Sequence, residues 1–419
     1  MRYNLRIVAL SLIIAYLIFF SACLNDSTRR IAPRAVKGVL DLTDWDFKRD
    51  GPVDLSGEWE FYWQQHLKPQ DFTSKTAIHK TGFIEVPGYW KDYELDGKKL
   101  PGHGFASYRL NVKLNQQPKS LALRTVEISN AYTIYVNGQK VGSLGQAGEN
   151  RETTIPQQYP QIFDFTPKTN KMEITINVSN FHHRRGGIWE VIQLGREKDI
   201  RQAQDKRLGF DLFLVGSIFL MALYHLGLFI FRKDDRAPLF FSIFCFLIVL
   251  RSLTTGGRYL NFLFPGINWE LIYKLEYLSF YLAVPAFTMF MQSIFKKFSE
   301  RFLHLLEMLA IVFSGIVVFT PARIFTHTLN IFEIITLITL IYALYVIFAS
   351  LKQKRIEASV FLLGFAILCL SLVNDMLHVE GIIQTGFFIQ FGFFCFILSQ
   401  AILLSYRFSS ALTTVEKQQ

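Results

Sequence analysis

Residues 209–231 read GFDLFLVGSIFLMALYHLGLFIF, an apolar run long enough to cross a bilayer as one helix. A hydrocarbon core of about 30 Å takes about 20 helical residues. Six further runs follow, at about 237–253, 274–295, 302–320, 327–350, 357–378 and 384–406, of which the second and fourth spans are short. Before residue 208 the chain is mixed and polar, with Gly, Pro, Asn and Trp spread throughout. After it, Phe, Leu and Ile dominate and short charged loops divide the runs. The 419 residues, 51% hydrophobic and 19% charged, therefore split into an N-terminal domain and a seven-helix membrane bundle.

Charge in the loops sets the direction of the bundle. Arg232, Lys233 and Arg236 follow the first span, Lys296, Lys297 and Arg301 the third, and Lys352, Lys354 and Arg355 the fifth. The alternate loops offer Arg258 and Arg323, with Arg251 and Lys274 at helix ends. Basic loops stay in the cytoplasm, so the N-terminal domain lies outside and the C-terminus inside. Arg196, Lys198, Arg201, Lys206 and Arg207 stand against this on the outer side, but an export signal can carry a long domain across regardless. The same distribution disposes of nucleic acid as a partner: the formal charge of +10 sits largely at the ends of apolar runs, where lipid headgroups are met.

Residues 1–22 have the form of an export signal, with Arg2 and Arg6 before the apolar stretch 7–20 and the small residues Ser21 and Ala22 after it. Phe20-Ser21-Ala22-Cys23 resembles a bacterial lipoprotein signal, which implies lipidation at Cys23. An uncleaved signal anchor is the alternative. Cys245, Cys369 and Cys395 fall inside apolar runs, so no disulfide framework supports the exported domain.

Between 36 and 195 the periodicity is that of strands. Ser107-Tyr108-Arg109-Leu110-Asn111-Val112, Tyr132-Thr133-Ile134-Tyr135-Val136 and Glu173-Ile174-Thr175-Ile176-Asn177-Val178 alternate with period two. Asn137-Gly138 between two such runs predicts a hairpin, because both residues tolerate positive φ. We expect a β-sandwich. The succession of Phe105-Ala106-Ser107-Tyr108-Arg109, Ala131 to Gly138, Val141-Gly142, Phe163-Asp164-Phe165-Thr166 and Ile174 to Val178 resembles the galactose-binding-like jelly roll at the N-terminus of family 2 glycoside hydrolases. That resemblance implies a fold and leaves the ligand open.

A second resemblance covers the helices. Leu223-Tyr224-His225-Leu226-Gly227-Leu228-Phe229-Ile230-Phe231-Arg232-Lys233-Asp234-Asp235-Arg236, the following Leu239 to Cys245, and Lys274-Leu275-Glu276-Tyr277-Leu278 are similar to the bacterial seven-transmembrane receptors with diverse intracellular signalling modules. The resemblance implies a bacterial inner-membrane receptor with an outer jelly-roll sensor and a cytoplasmic output. Only residues 407–419 follow the last span, so the expected output passes to a separate cytoplasmic signalling protein; the alternative is that the output module has been lost and only the sensor remains.

The organisation expected is a signal over 1–22, a linker over 24–35, a sandwich over 36–195, a linker over 196–208, the bundle over 209–406 and a tail over 407–419. For ligand binding the candidates are His182, His183, Arg184, Arg185 and Trp189, where two glycines free the backbone and Arg, His and Trp offer hydrogen bonds and a flat face. The competing reading makes Trp189 a cap on the sandwich core and has the basic residues of the loop meet lipid headgroups. Trp59, Trp63 and Trp90 are expected in the core. Ionisable residues inside spans are costly and mark function. Arg251, Glu276, Asn374 and Asp375, with Lys274 and Glu333, are placed near the outer helix ends, and His225 and Glu307, with His304, toward the inner side. The alternative, weighed for the outer set, is that several simply snorkel to the interface or pair structurally.

Neither a catalytic motif nor metal-ligand spacing stands out, and no cofactor is implied. We expect a receptor for a small-molecule or carbohydrate-like ligand, with membrane lipid and a second copy of the chain as further partners. A transporter with a capture domain is the alternative, and Pro285 is the break it would use; an anchored wall-binding protein is a third reading.

Overall fold

The computed structural model describes residues 30, 32–73, 78–115, 119–295, 298–351, 356–379, 382–383, 385 and 388–401. The expected signal over 1–22, Cys23, most of the first linker and the tail lie outside the described residues.

The alternating segments form the strands they predict. In Gly104–Leu114 the side chains of Ala106, Tyr108, Leu110, Val112 and Leu114 are buried, and in Lys171–Asn180 those of Met172, Ile174, Ile176 and Val178. The two strands pair antiparallel with Ile174 opposite Leu110 and Ile176 opposite Tyr108, so their buried faces coincide. They form the middle of a seven-stranded sheet whose order is Gln139–Leu144, Ala131–Val136, Lys171–Asn180, Gly104–Leu114, Gly57–Trp63 and Gly82–Val86, with Val39–Leu42 joined in parallel to Gly104–Leu114. The hairpin turns at Asn137 (φ 48°) and Gly138 (φ 83°), as its sequence predicts.

A four-stranded sheet packs against it, in the order Gln161–Phe165, Leu121–Thr125, Gln193–Arg196 and Val53–Asp54. Trp59, Phe61, Trp90, Tyr108 and Tyr132 fill the space between. Trp90 donates its indole N–H to the Tyr108 hydroxyl at 2.6 Å, so this fully buried tryptophan leaves no polar side-chain atom unpaired. Trp59 and Trp90 are fully buried and Trp63 partly so, which matches their expected core role.

The helical part has α1 Glu197–Phe231, α2 Ala237–Thr254, α3 Trp269–Phe295, α4 Glu300–Phe319, α5 Leu329–Leu351, α6 Ile356–Val379 and α7 Ile389–Ala401. Six apolar helices among the described residues are long enough to span a membrane, and α7 is a shorter apolar one. Leu220, Ile311 and Ile341 stand outward and exposed, which suits a surface solvated by lipid. Inside, Phe241, Phe244, Phe290, Phe361, Phe365 and Phe396 pack as an aromatic core. Pro285 sits within α3 without ending it. Just beyond it the Thr288 hydroxyl donates to the Val284 and Pro285 carbonyls of the same helix at 3.2 and 2.9 Å.

One boundary differs from the sequence reading. Residues 197–208, expected as a linker, are the opening turns of α1, which runs unbroken from the last strand of the sandwich into the bundle. Their charges are the reason the apolar pattern misses them. Arg196 pairs with Asp199 at 2.6 Å, and Arg201 pairs with Asp164 of the sandwich and with Glu197 at 3.3 Å. Of the basic residues that opposed the topology, Arg201 thus fastens the charged start of the helix to the outer domain and Arg196 pairs within that start.

Candidate functional site

The segment 182–189 is rigidly built. Asn180, at the end of its strand, places Nδ2 2.5, 2.7 and 2.8 Å from the carbonyls of Gly102, His183 and Arg185, which share its two hydrogens, and its Oδ1 accepts from the His183 backbone N–H at 3.2 Å. Gly187–Ile188 then pairs antiparallel with Gly88–Tyr89. The two glycines act by closeness rather than by looseness. A Cβ on Gly186 would lie 2.1 Å from the Trp90 ring, and Gly187 has φ +130° with the Gly88 carbonyl 2.4 Å from where its Cβ would be.

This anchoring presents His183, Arg184, Arg185 and Trp189 to a cavity of about 500 Å³ between the sandwich and the bundle. Trp189 does not cap the sandwich core. Its ring lies 4.8 Å from His183 and 6.1 Å from Tyr89, and its buried indole N–H has no hydrogen-bond partner among the described residues. Arg251, Glu276 and Glu333 line the opposite wall, together with His378 and Tyr273. Two candidate sets separated in sequence by more than sixty residues therefore meet in one chamber.

Other candidates fall elsewhere. His182 faces Trp269 at 6.3 Å and contacts the Thr154 carbonyl at 3.2 Å, beside the chamber rather than in its lining. Asp375 accepts the backbone N–H groups of Phe388 and Ile389 at 2.7 and 3.0 Å, so it caps the start of α7. Asn374 accepts from Thr385, a lining residue, at 2.6 Å and supports the wall from behind. Lys274 pairs with Glu270 at 3.4 Å and reaches the Val318 carbonyl at 3.1 Å. At the inner end His225 is a buried core histidine, its ring 4.6 Å from Phe241 and its Nδ1 3.0 Å from the Met221 carbonyl. Glu307 pairs with exposed His304 at 3.4 Å. His225 and Glu307 do not form one site.

The residues that join the two halves were missed by sequence reasoning. Arg258, in the loop after α2, is 3% exposed and lies between Glu127 of the sandwich at 3.4 Å and Glu276 of α3 at 3.2 Å. It also donates to the Tyr273 hydroxyl at 3.2 Å. Tyr273 in turn donates to Gln158 of the sandwich, and His378 of α6 meets Glu190 at 3.0 Å. Nothing local marks Glu127 or Glu190, because their partners lie more than 130 residues away.

The electrostatics of the chamber follow from this crowding. Burial pushes the Glu127 carboxyl up to about 7; Arg258 opposes that rise, while Glu190 and Glu276 add to it. Burial, aided by Arg184, holds the His183 imidazole well below its usual range, and its Nδ1 accepts the Arg185 backbone N–H at 3.2 Å. A neutral ring next to Trp189 and Tyr273 is a surface for apolar faces and hydrogen-bonding edges together.

Residues 207–407 match the model of a family described as 7TM diverse intracellular signalling. The helical half is similar to that receptor family. The match indicates a transmembrane signalling receptor, integral to the membrane, and concerns a signalling domain rather than an enzyme. Among solved structures, a β-glucuronidase from an uncultured Clostridium species aligns at 18% identity over 34% of this chain and 28% of its own, with TM-score 0.26. A Ruminococcus gnavus β-glucuronidase in complex with an N1-substituted uronic isofagomine aligns at 14% identity over 34% and 29%, with TM-score 0.28. The chain thus spans under a third of those enzymes' length, and such scores say nothing of activity here. No curated protein matches the chain.

Proposed function

We propose that this receptor binds a small polar or carbohydrate-like molecule in the interdomain chamber and transmits its presence through the helices to a cytoplasmic signalling partner. The observation that carries the reading is that the chamber has one wall from the sandwich and one from the bundle. A ligand touching both walls binds better to one relative placement of the two than to another, and that difference in affinity is what shifts a conformational equilibrium. A chamber of about 500 Å³ with aromatic faces and convergent charged groups is of the size and make-up of small-molecule sites. Coupling of about 1–3 kcal/mol would be ordinary for such a device. The bacterial inner membrane, with the sandwich outside, is the location that the loop charges support.

The transporter reading has less behind it. α3 continues through Pro285, and the described helices show no unwound midplane segment of the kind transporters use.

The test is binding of sugars, cell-wall fragments and small carboxylates to the full chain in nanodiscs, alongside residues 36–195 alone. Because half the chamber is missing from the fragment, the full chain should bind a hit at least tenfold more tightly, and Trp189→Ala should weaken it. Equal affinity for fragment and full chain would remove the interdomain site.

A further inference from the structure

The chamber adjoins a second space in the bundle at Arg251. A second, apolar cavity of about 80 Å³ lies in the bundle among Phe280, Val284, Phe287, Thr339, Leu368 and Phe393. Arg251 lines both. On α3, Glu276 and Tyr277 belong to the chamber, while Phe280 and Val284, one and two turns on, belong to the apolar space. On α5 the succession is Glu333 and then Thr336 and Leu340; on α6 it is His378 and then Leu372 and Leu368. Each helix carries one continuous stripe from polar to apolar. The threonine hydroxyls do not interrupt it, since Thr336 and Thr339 donate to Phe332 and Ile335 carbonyls in their own helix at 2.8 Å each. The shaft has an aromatic floor, where Phe287 stacks on Phe365 at 5.5 Å and meets Phe396 at 5.8 Å.

At the neck sits a cation. Arg251 donates to the Glu276 carbonyl at 3.2 Å and lies over the Phe280 ring at 4.7 Å, and no carboxylate pairs with it among the described residues. Glu276 itself is paired to Arg258. A guanidinium at a polar-to-apolar boundary, with donors to spare, is a site for an anionic head.

We propose that the ligand is a single-chain amphiphilic anion, with its carboxylate or phosphate at Arg251, its polar part in the chamber and a short alkyl chain in the shaft. The inference rests on the receptor reading and names the ligand class for the same site. It also supplies a route inward: a chain in the shaft presses on Phe287 and Phe365, which pack into the aromatic core of the bundle.

The experiment is equilibrium binding of straight-chain carboxylates, from butanoate to dodecanoate, to the full chain in zwitterionic nanodiscs, with empty nanodiscs subtracted. Affinity should rise about fourfold per methylene and then level off where the shaft is full. Ala283→Phe, which fills the shaft, should bring the plateau to a shorter chain; if it disturbs the bundle, Val284→Leu is the milder block. Arg251→Gln should lower affinity about tenfold at every length and leave the slope. A flat series, a plateau unmoved by both blocks, or a co-purified bilayer lipid that no carboxylate displaces overturns the inference. A flat series in which sugars still bind across both walls leaves the receptor reading intact. A length-dependent series that produces no change at the inner ends of the helices sinks the receptor reading and leaves this one.

Discussion

A Cβ added at Gly186 would meet the Trp90 ring at 2.1 Å and the Gly102 carbonyl at 2.6 Å, with the core tryptophan unable to withdraw. Gly186→Ala should therefore cost about 1–3 kcal/mol of stability, read as a lower melting temperature of the full chain. Exchange protection of the 88–89 and 187–188 pairing should fall with it. Glu127 permits a second prediction. Its carboxyl is raised to about 7 in the folded state, so its contribution is fully present below the ordinary range near 4.5 and is lost as pH rises through 7. His183, held low, acts with the opposite sign and loses stability as pH falls below its usual value near 6.5. The difference between wild type and Glu127→Gln isolates the carboxyl. Relative to the variant, wild type should lose melting temperature between pH 5 and 7.5, and a constant difference would refute the assignment.

Among the elements, the loop after α2 and the helix α1 connect the two halves. Arg258 in that loop is 3% exposed between two carboxylates, and removing it would leave Glu127 and Glu276 facing each other without a cation. Arg258→Met should cost about 3–5 kcal/mol, and neutralising both partners in Arg258→Met/Glu127→Gln/Glu276→Gln should recover much of it. A triple variant no more stable than the single one would show that the arginine acts by packing alone. α1 is the covalent counterpart. It enters the bundle without a break, and Ser120, Arg124 and Asp164 of the sandwich hold its first turns through Glu197, Gln204 and Arg201. Replacing Lys206 and Arg207 by glycine should weaken that stretch by about 1 kcal/mol per residue. Ligand affinity should stay while the response at the inner end of α1 falls; an unchanged response would mean that the signal travels through the other helices.

For the whole molecule, the proposed function implies a sensor that needs both halves to make its site and a membrane to orient it. Cys245, Cys369 and Cys395 are buried, so once Cys23 is replaced by serine a cysteine introduced at an exposed position is a clean topological reporter. Lys98→Cys on the sandwich should react with an impermeant maleimide from outside the cell, and Asp234→Cys between α1 and α2 only after the inner face is opened. The reverse pattern would invert the orientation derived from the loop charges.

Much of this architecture was legible in the residues themselves. Alternation through 107–112 and 173–178 carried the strands, Asn137-Gly138 the hairpin, and the apolar runs the helices, because each depends on neighbours a few positions apart. The ends were less legible where charge replaced the apolar pattern, as in 197–208. Part of the chamber's lining was also among the candidates read from the residues: His183, Arg184, Arg185 and Trp189 as hydrogen-bonding and flat side chains in one loop, and Arg251 and Glu276 as charges that are costly in a span. Only the tertiary structure decided that these two groups face one chamber, that Arg258 joins Glu127 to Glu276, and that Asp375 holds a helix end instead. Those outcomes depend on distances between residues remote in the chain, set by how the sandwich seats on the bundle, and local periodicity holds no record of them.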